Sequence, residues 1–395
     1  MIGADELAGL LAGVQPIGLD ARGATTRLAW TDEDAAAGEW FAARAAALGR
    51  RVERDPAGNL WACPDAPGPW WAAGSHLDTV RAGGRFDGAL GVAAAFAVAA
   101  RSQVPLAVIS FADEEGARFN TPTFGSRALA GALDVDDVLG RVDDRGIALA
   151  DAMAQAGVDP GGLRDAATWT QRLRGFLELH IDQSRDLARA GAPASAVERL
   201  AARLRLQLEL GGRADHAGTT PRGERSDALV AAARVIVAAD DEALAHPGMV
   251  FTPARIEVAP NAATTVPERT RLWLDARAER PETVEAWRAA VEADATRVAA
   301  ATRVSLELRT ASWSPGTEFP QDVRAALAES LPDSAPRIVC FAGHDAGVVA
   351  RVRPAGMVLV RNEQGISHAP EEHVELEDAA IAATALLHAV ERLAA

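Results

Sequence analysis

The sequence predicts an α/β fold: a domain built on a largely parallel central sheet, interrupted by a smaller two-layer domain. Three features predict it. Apolar runs and helical segments alternate along the first half of the chain: 70–73, a small-residue helix over 88–100, 106–111, and later 176–181. Residues 203–309 then read β-α-β-β-α-β, the pattern of a two-layer sandwich. Beyond them the first pattern resumes in RIVCFA and GMVLVRN and closes with a helix from Glu377. The expected domains are therefore 1–202 together with 310–395, and an inserted 203–309.

The elements follow from local chemistry. Thr31 with Asp32, Glu33 and Asp34 caps a helix through AAAGEWFAARAAALG, because side-chain oxygens and negative charge suit a helix start. DPAG between 51–53 and 59–63 marks a hairpin. In the inserted domain RLRLQLELGG alternates strictly, as a half-buried strand does, and GERSDALVAAARVIVAAD is helical. ARIEVAP and TRLWLDARA are strands, PETVEAWRAAVEADATRVAAA is the second helix, and RVSLELRT closes the unit.

Composition narrows the function. The chain has 395 residues, 49% hydrophobic and 24% charged, an ordinary balance for a globular protein with room for two domains. A formal net charge of −15 argues against nucleic acid and anionic membrane as partners. All 40 basic residues are arginine, which reads as a compositional bias rather than a functional one. Cys63 and Cys340 form no C-x-x-C pattern, so neither a disulfide framework nor a thiolate zinc site is expected. MIGADELAGLLAG lacks the features of a signal peptide, and no uncharged apolar run approaches the ~20 residues of a membrane span. A cytoplasmic protein is the expectation.

The chemistry concentrates at strand ends. GSHLDTVRAGGRFDGALGV places His76, Asp78 and Asp87 in a glycine-rich loop where neutral turn residues are usual. Asp113, Glu114 and Glu115 follow the strand at 106–111, and adjacent carboxylates repel unless a cation or a shared proton intervenes. A solvated helix start would also account for them. In FLELHID, Glu178, His180 and Asp182 share one face of a strand. GISHAPEE adds His368. His76, Asp87, Glu115, His180 and His368 together offer three imidazoles and two carboxylates, a donor set suited to zinc or a similar ion.

The ordered series GSHLDT, GGRFDGALGV, DEEG, ELHIDQ, DHAGTTP, GHDA and GISHAPEE resembles the amidase branch of the dinuclear-zinc aminoacylase/carboxypeptidase superfamily. That branch holds N-carbamoyl-L-amino-acid hydrolases, β-ureidopropionases and allantoate amidohydrolases. The resemblance implies a zinc-peptidase-like catalytic domain and an inserted lid and dimerisation domain. It implies two divalent metal ions, zinc foremost, with manganese or cobalt as substitutes. His76, Asp87 and His180 would surround one; Asp87, as bridge, would join Glu115 and His368 around the other. Glu114 would be the general base acting on a metal-bridging water, and Asp78 would orient a ligand. His216 would polarise the substrate carbonyl from the partner subunit of a homodimer. Gln183 and Asn261 would contact substrate, and Arg277 would clamp its carboxylate.

The chain departs from the family pattern at two places. It has HIDQS where HIEQG is usual, and Thr264 where an asparagine is usual. The reading is a metal-dependent amidohydrolase cleaving a linear ureido or amide C–N bond, foremost that of an N-carbamoyl-L-amino acid. Its small-molecule substrate would carry a carboxylate. Allantoate is the alternative substrate; an N-acyl amino acid deacylase or dipeptidase, or a binding protein that has lost the chemistry, are the more distant ones.

Overall fold

Seven consecutive buried residues, Trp70–His76, form the middle of the main sheet in the computed structural model, which describes residues 1–333 and 335–395. Across the sheet the order is Arg51–Arg54, Leu60–Cys63, Leu106–Phe111, Trp70–His76, Leu173–Ile181, Ala355–Val360 and Ala194–Leu200. The four central strands, from Leu106–Phe111 to Ala355–Val360, run parallel. The flanking pairings are antiparallel. The central strands are buried on both faces, which is why they appear in the sequence as unbroken apolar runs.

The chain divides into two compact units: Met1–Glu198, Glu318–Ile338 and Ala342–Ala395 form one, and Arg199–Thr317 with Val339–Phe341 the other. In the first, the parallel pairings place His76 beside Phe111 and Val360 beside Ile181, so the carboxyl ends of all four central strands lie along one edge. In an open α/β sheet that edge is where loops build a site.

The helix Ala89–Arg101 is buried over almost its whole circumference, and its alanines and glycine let it lie directly on the sheet. A Cβ at Gly91 would fall 2.2 Å from the Leu179 carbonyl oxygen and 2.7 Å from the Ser75 Cβ. Thr31 caps the helix Asp32–Ala47 through the Asp34 amide, and the Asp34 carboxylate reaches back to the Trp30 amide at 2.8 Å. Burial pushes the Asp34 carboxyl up to about 7.

Four short helices between Phe124 and Arg172 had no counterpart in the sequence reading. They enclose a separate core of Trp30, Phe124, Leu149, Met153 and Leu163. The α-helices among them, Phe124–Leu129, Val135–Leu139 and Leu149–Gln155, are each two turns or fewer. Segments that short display no helical period.

The second unit is a four-stranded antiparallel sheet in the order Ser305–Ser314, Ala202–Gly211, Arg269–Ala278, Val250–Ala259. The helices Ala228–Leu244 and Pro281–Thr302 cover one face. Leu204, Leu206, Leu208 and Leu210 point to that face and pack with Leu272, Leu274, Val235 and Trp287. A short antiparallel ladder pairs Asp215–His216 with Thr265–Val266.

Gly91→Ala sets two effects against each other. Alanine raises helix propensity by about 1 kcal/mol, whereas forcing a methyl group against the sheet backbone costs roughly 1–3 kcal/mol or more. The clash is with a carbonyl that cannot rotate away, so overpacking wins. Urea unfolding should give a lower midpoint for Gly91→Ala than for the unsubstituted protein.

Candidate metal centre

Loops after the four central strands bring His76, Asp78, Asp87, Glu114, Glu115, His180, Gln183 and His368 together. His76 ends its strand; the loop behind it is fastened by buried Arg27, which donates from Nε to the Leu77 carbonyl at 2.8 Å. Arg27 and Thr79 also exchange two hydrogen bonds through their main chains and the threonine hydroxyl. The chain returns at Asp87 and enters the helix through Gly88. Gly88 has φ +65°, and a Cβ there would fall 2.5 Å from the His76 ring.

Two donor sets share Asp87. Its Oδ1 lies 3.3 Å from His76 Nε2 and 3.0 Å from His180 Nε2. Its Oδ2 lies 3.5 Å from His368 Nε2, which is also 3.5 Å from Glu115 Oε2. Within each set, His76–Asp87–His180 and Asp87–Glu115–His368, one ligating atom per residue lies within 4.8 Å of the others. His368 holds its ring there from a left-handed backbone conformation, φ +56°, that a non-glycine residue rarely adopts.

The donor chemistry fits a divalent metal. His76 Nδ1 lies 3.0 Å from the Asp78 carbonyl, and His180 Nδ1 lies 3.1 Å from the Ile181 carbonyl. A carbonyl can only accept, so both rings carry a proton on Nδ1 and turn Nε2 toward Asp87. Nε2 at such a distance from a carboxylate calls for a positive charge between them, a metal ion or a second ring proton. Burial opposes the imidazolium form of His180, but Asp87 and Glu178 outweigh it and push the ring up to about 9. Among the described residues, Glu115 Oε1 is buried without a hydrogen-bond partner. Nitrogen and oxygen donors without thiolate suit a first-row divalent ion.

Asp78 orders the neighbouring acids. Its Oδ1 accepts the Glu114 amide at 3.0 Å and its Oδ2 the Glu115 amide at 3.1 Å. Main-chain bonds from Thr123, Phe124 and Gly125 to Glu114, Asp113 and Ala112 clamp the same turn from the other side. Glu114 Oε2 stands 3.8 Å from His76 Nε2. Burial holds the Glu114 carboxyl well above its ordinary range; His76 opposes the rise, while Asp345, Glu115 and Asp78 add to it.

Glu178 and His180 both face this region, and the strand ends at Ile181, one residue before Asp182. Asp182 accepts from the Ser184 amide and hydroxyl and from the Leu187 amide, starting the helix Asp186–Ala190. Gln183 donates to Asp87 Oδ2 at 3.0 Å and to Ser367 Oγ at 3.2 Å.

Sequence reasoning left His344, Ser367 and Glu372 without roles, although GHDA and GISHAPEE contain them. The buried His344 ring lies 4.4 Å from that of His180. Ser367 bridges Asp87 and Glu372. No local pattern distinguishes these residues; their partners are distant in the chain.

His216, Asn261 and Arg277 belong to the second unit. His216 Nδ1 accepts the amides of Gly218 and Thr219 at 3.1 and 3.2 Å, so its proton sits on Nε2, at an exposed position. Thr264 accepts the Ala217 amide through its carbonyl at 2.9 Å, and Asn261 is exposed in the preceding turn. Arg277 donates from Nε to Asp275 at 2.9 Å and from Nη1 to the Phe341 carbonyl at 2.6 Å. Both bonds fix the plane of the guanidinium.

The family model described as Peptidase family M20/M25/M40 matches residues 72–392. An N-carbamoyl-L-amino acid amidohydrolase of Geobacillus stearothermophilus is 34% identical over 416 residues, covering 100% of this chain and 99% of that protein. An allantoate amidohydrolase of Bacillus subtilis (strain 168) is 28% identical over 95% of this chain and 94% of its own. Among solved structures, a hydantoinase/carbamoylase family amidase from Burkholderia ambifaria superimposes with a TM-score of 0.84. It is 32% identical and covers 100% of this chain and 98% of its own.

Proposed function

Because the chain belongs to peptidase family M20/M25/M40, we propose that it is a metal-dependent amidohydrolase acting on the ureido C–N bond of N-carbamoyl-L-amino acids. The observation that carries this reading is Asp87, whose two carboxylate oxygens face two separate imidazole-containing donor sets. His76, Asp87 and His180 would hold one divalent ion, and Asp87, Glu115 and His368 a second, zinc foremost. Such ions, when bound, supply Lewis acidity and make a water molecule more acidic.

The protein's own groups do the rest. Glu114 takes a proton from the attacking water and passes it to the leaving nitrogen, a role suited to a carboxyl whose proton affinity burial has raised. His216, with its proton on Nε2, donates to the carbonyl oxygen as charge builds there. Arg277 binds the substrate carboxylate with the Nη2 side of its fork, its other nitrogens being anchored. The full-length match to a carbamoyl amino acid amidohydrolase supports this substrate over allantoate.

The register of the second unit supports a homodimer. His216 lies beyond the end of the sheet that begins at Arg269, opposite Gly211, while Arg277 lies at the other end, opposite Arg203. Arg269 to Arg277 spans about 27 Å of extended strand. A substrate the size of an amino acid cannot touch both in one chain, which favours one of them coming from a second copy. Val230, Val237 and Leu244 form an exposed apolar stripe at seven-residue spacing on the helix of that unit. Val250 and Ile256 stand exposed on its edge strand. Both surfaces suit self-association.

Glu114→Gln should keep its metal content while turnover falls roughly 10²–10⁴-fold, the usual weight of general acid–base catalysis. His180→Ala and His368→Ala should lose metal as well as activity, measured by elemental analysis. Glu114→Gln protein devoid of metal would refute its assignment as base.

Arg277→Ala should abolish hydrolysis of N-carbamoyl amino acids, and Thr264→Asn should raise kcat/KM for small ones by restoring a longer hydrogen-bonding side chain. A panel of carbamoyl amino acids, allantoate, N-acetyl amino acids and carboxylate-free amides checks this. Undiminished turnover by Arg277→Ala would exclude a carboxylate clamp there.

Mixing inactive His216→Ala with inactive Glu114→Gln should recover partial activity after subunit exchange, since each mixed dimer contains one intact pairing. Proven exchange without recovery would place His216 in its own chain's site, or outside the reaction.

A further inference from the structure

We infer that Glu372 is a positioning residue that fixes both the backbone and the carboxylate of Asp87, and so sets the geometry of the shared ligand; this rests on the metal-centre reading above. Glu372 is buried, 285 residues from Asp87 in sequence. Its Oε1 accepts the amides of Phe86 and Asp87, each at 2.9 Å. Its Oε2 lies 3.1 Å from Ser367 Oγ, which lies 3.1 Å from Asp87 Oδ2. One side chain therefore holds Asp87 at its main chain and, at its other oxygen, shares the single Ser367 hydroxyl proton with the Asp87 oxygen that faces His368.

The space for this clamp is built into the loop. A Cβ at Gly84 would fall 2.3 Å from the Glu372 carboxyl carbon and 2.6 Å from its Cβ, so a larger residue there would evict the side chain. Gln183 completes the arrangement by donating to Asp87 Oδ2 and Ser367 Oγ.

Hydrogen-bond counting separates a clamp from a need for charge. A serine hydroxyl has one proton to donate and two lone pairs to fill. With Ser367 donating to Asp87, it can accept from Gln183 and from one further donor at position 372. A glutamine there would supply that donor from its amide nitrogen, while its oxygen accepted the Phe86 and Asp87 amides. Glutamine preserves every contact; alanine removes them, and aspartate is one methylene too short.

Cobalt(II) titrated into metal-free protein, followed by visible absorption, tests this without relying on turnover. Glu372→Ala and Glu372→Asp should bind cobalt about 10–100-fold more weakly, the usual effect of removing a partner that orients a ligand, with an altered spectrum. Glu372→Gln should keep wild-type affinity and spectrum. Gly84→Ala, which touches no ligand, should weaken cobalt in the same direction as Glu372→Ala. Thermal unfolding of the metal-free proteins controls for the fold; should the alanine variant not fold, the glutamine and Gly84→Ala variants decide the matter. Wild-type cobalt binding by Glu372→Ala, or binding by Glu372→Gln as weak as a truncation, would overturn the inference. Wild-type protein that takes up no cobalt would instead overturn the metal-centre reading, and the inference with it.

Discussion

The structure turns on one carboxylate. Asp87 is buried, and its oxygens lie between 3.0 and 3.5 Å from three imidazole nitrogens, two carried by central strands and one by a loop. A charged group so placed is costly unless it is paired and hydrogen-bonded, and much of the surrounding architecture serves that condition. Parallel strands put their carboxyl ends on one edge, so loops from positions near 76, 113, 181 and 367 can all reach it. The close-lying helix Ala89–Arg101 holds Asp87 over the strand end, with Gly91 and Gly88 allowing the approach. The alanine-rich composition of that helix is thus part of the site.

The same constraint explains why acids crowd the region without dispersing into solvent. Asp78, Glu114 and Glu115 each have a carboxyl raised by burial, and Glu115 is pushed up to about 8. Left alone, these groups would protonate or move apart. Asp78 stays because it receives two main-chain amides, and Glu114 and Glu115 stay because those amides are their own. Two divalent ions would supply the balancing positive charge. Buried Arg27 adds a fixed positive charge, though burial pulls its own proton affinity down to about 10.

What the sequence reveals depends on how far apart partners lie. His76, Asp87, Glu115, His180 and His368 are legible because each sits in a short stretch whose local chemistry is odd: an imidazole in a turn, paired acids after a strand. The strands of both units are legible because burial on one or both faces leaves a period-two or unbroken apolar pattern. Asp182 lies one residue beyond the strand, and its carboxylate accepts the Ser184 and Leu187 amides, a role that alternation alone does not reveal. Glu372, Ser367 and Arg27 were invisible as site residues. Each looks like an ordinary surface or cap residue until the fold brings it to a partner remote in the chain.

The inserted unit carries a different kind of information. Its short two-stranded ladder positions His216 with a defined tautomer, and its sheet places Arg277 in a fixed plane, each by hydrogen bonds within the unit. Both groups are therefore organised before any substrate arrives. Because the sheet separates them by its full length, the proposed homodimer, with two copies presenting opposite ends to one substrate, is the arrangement that would use both. On that proposal chemistry and assembly would be inseparable: the first unit would make the nucleophile, and a pair of second units would recognise what it attacks.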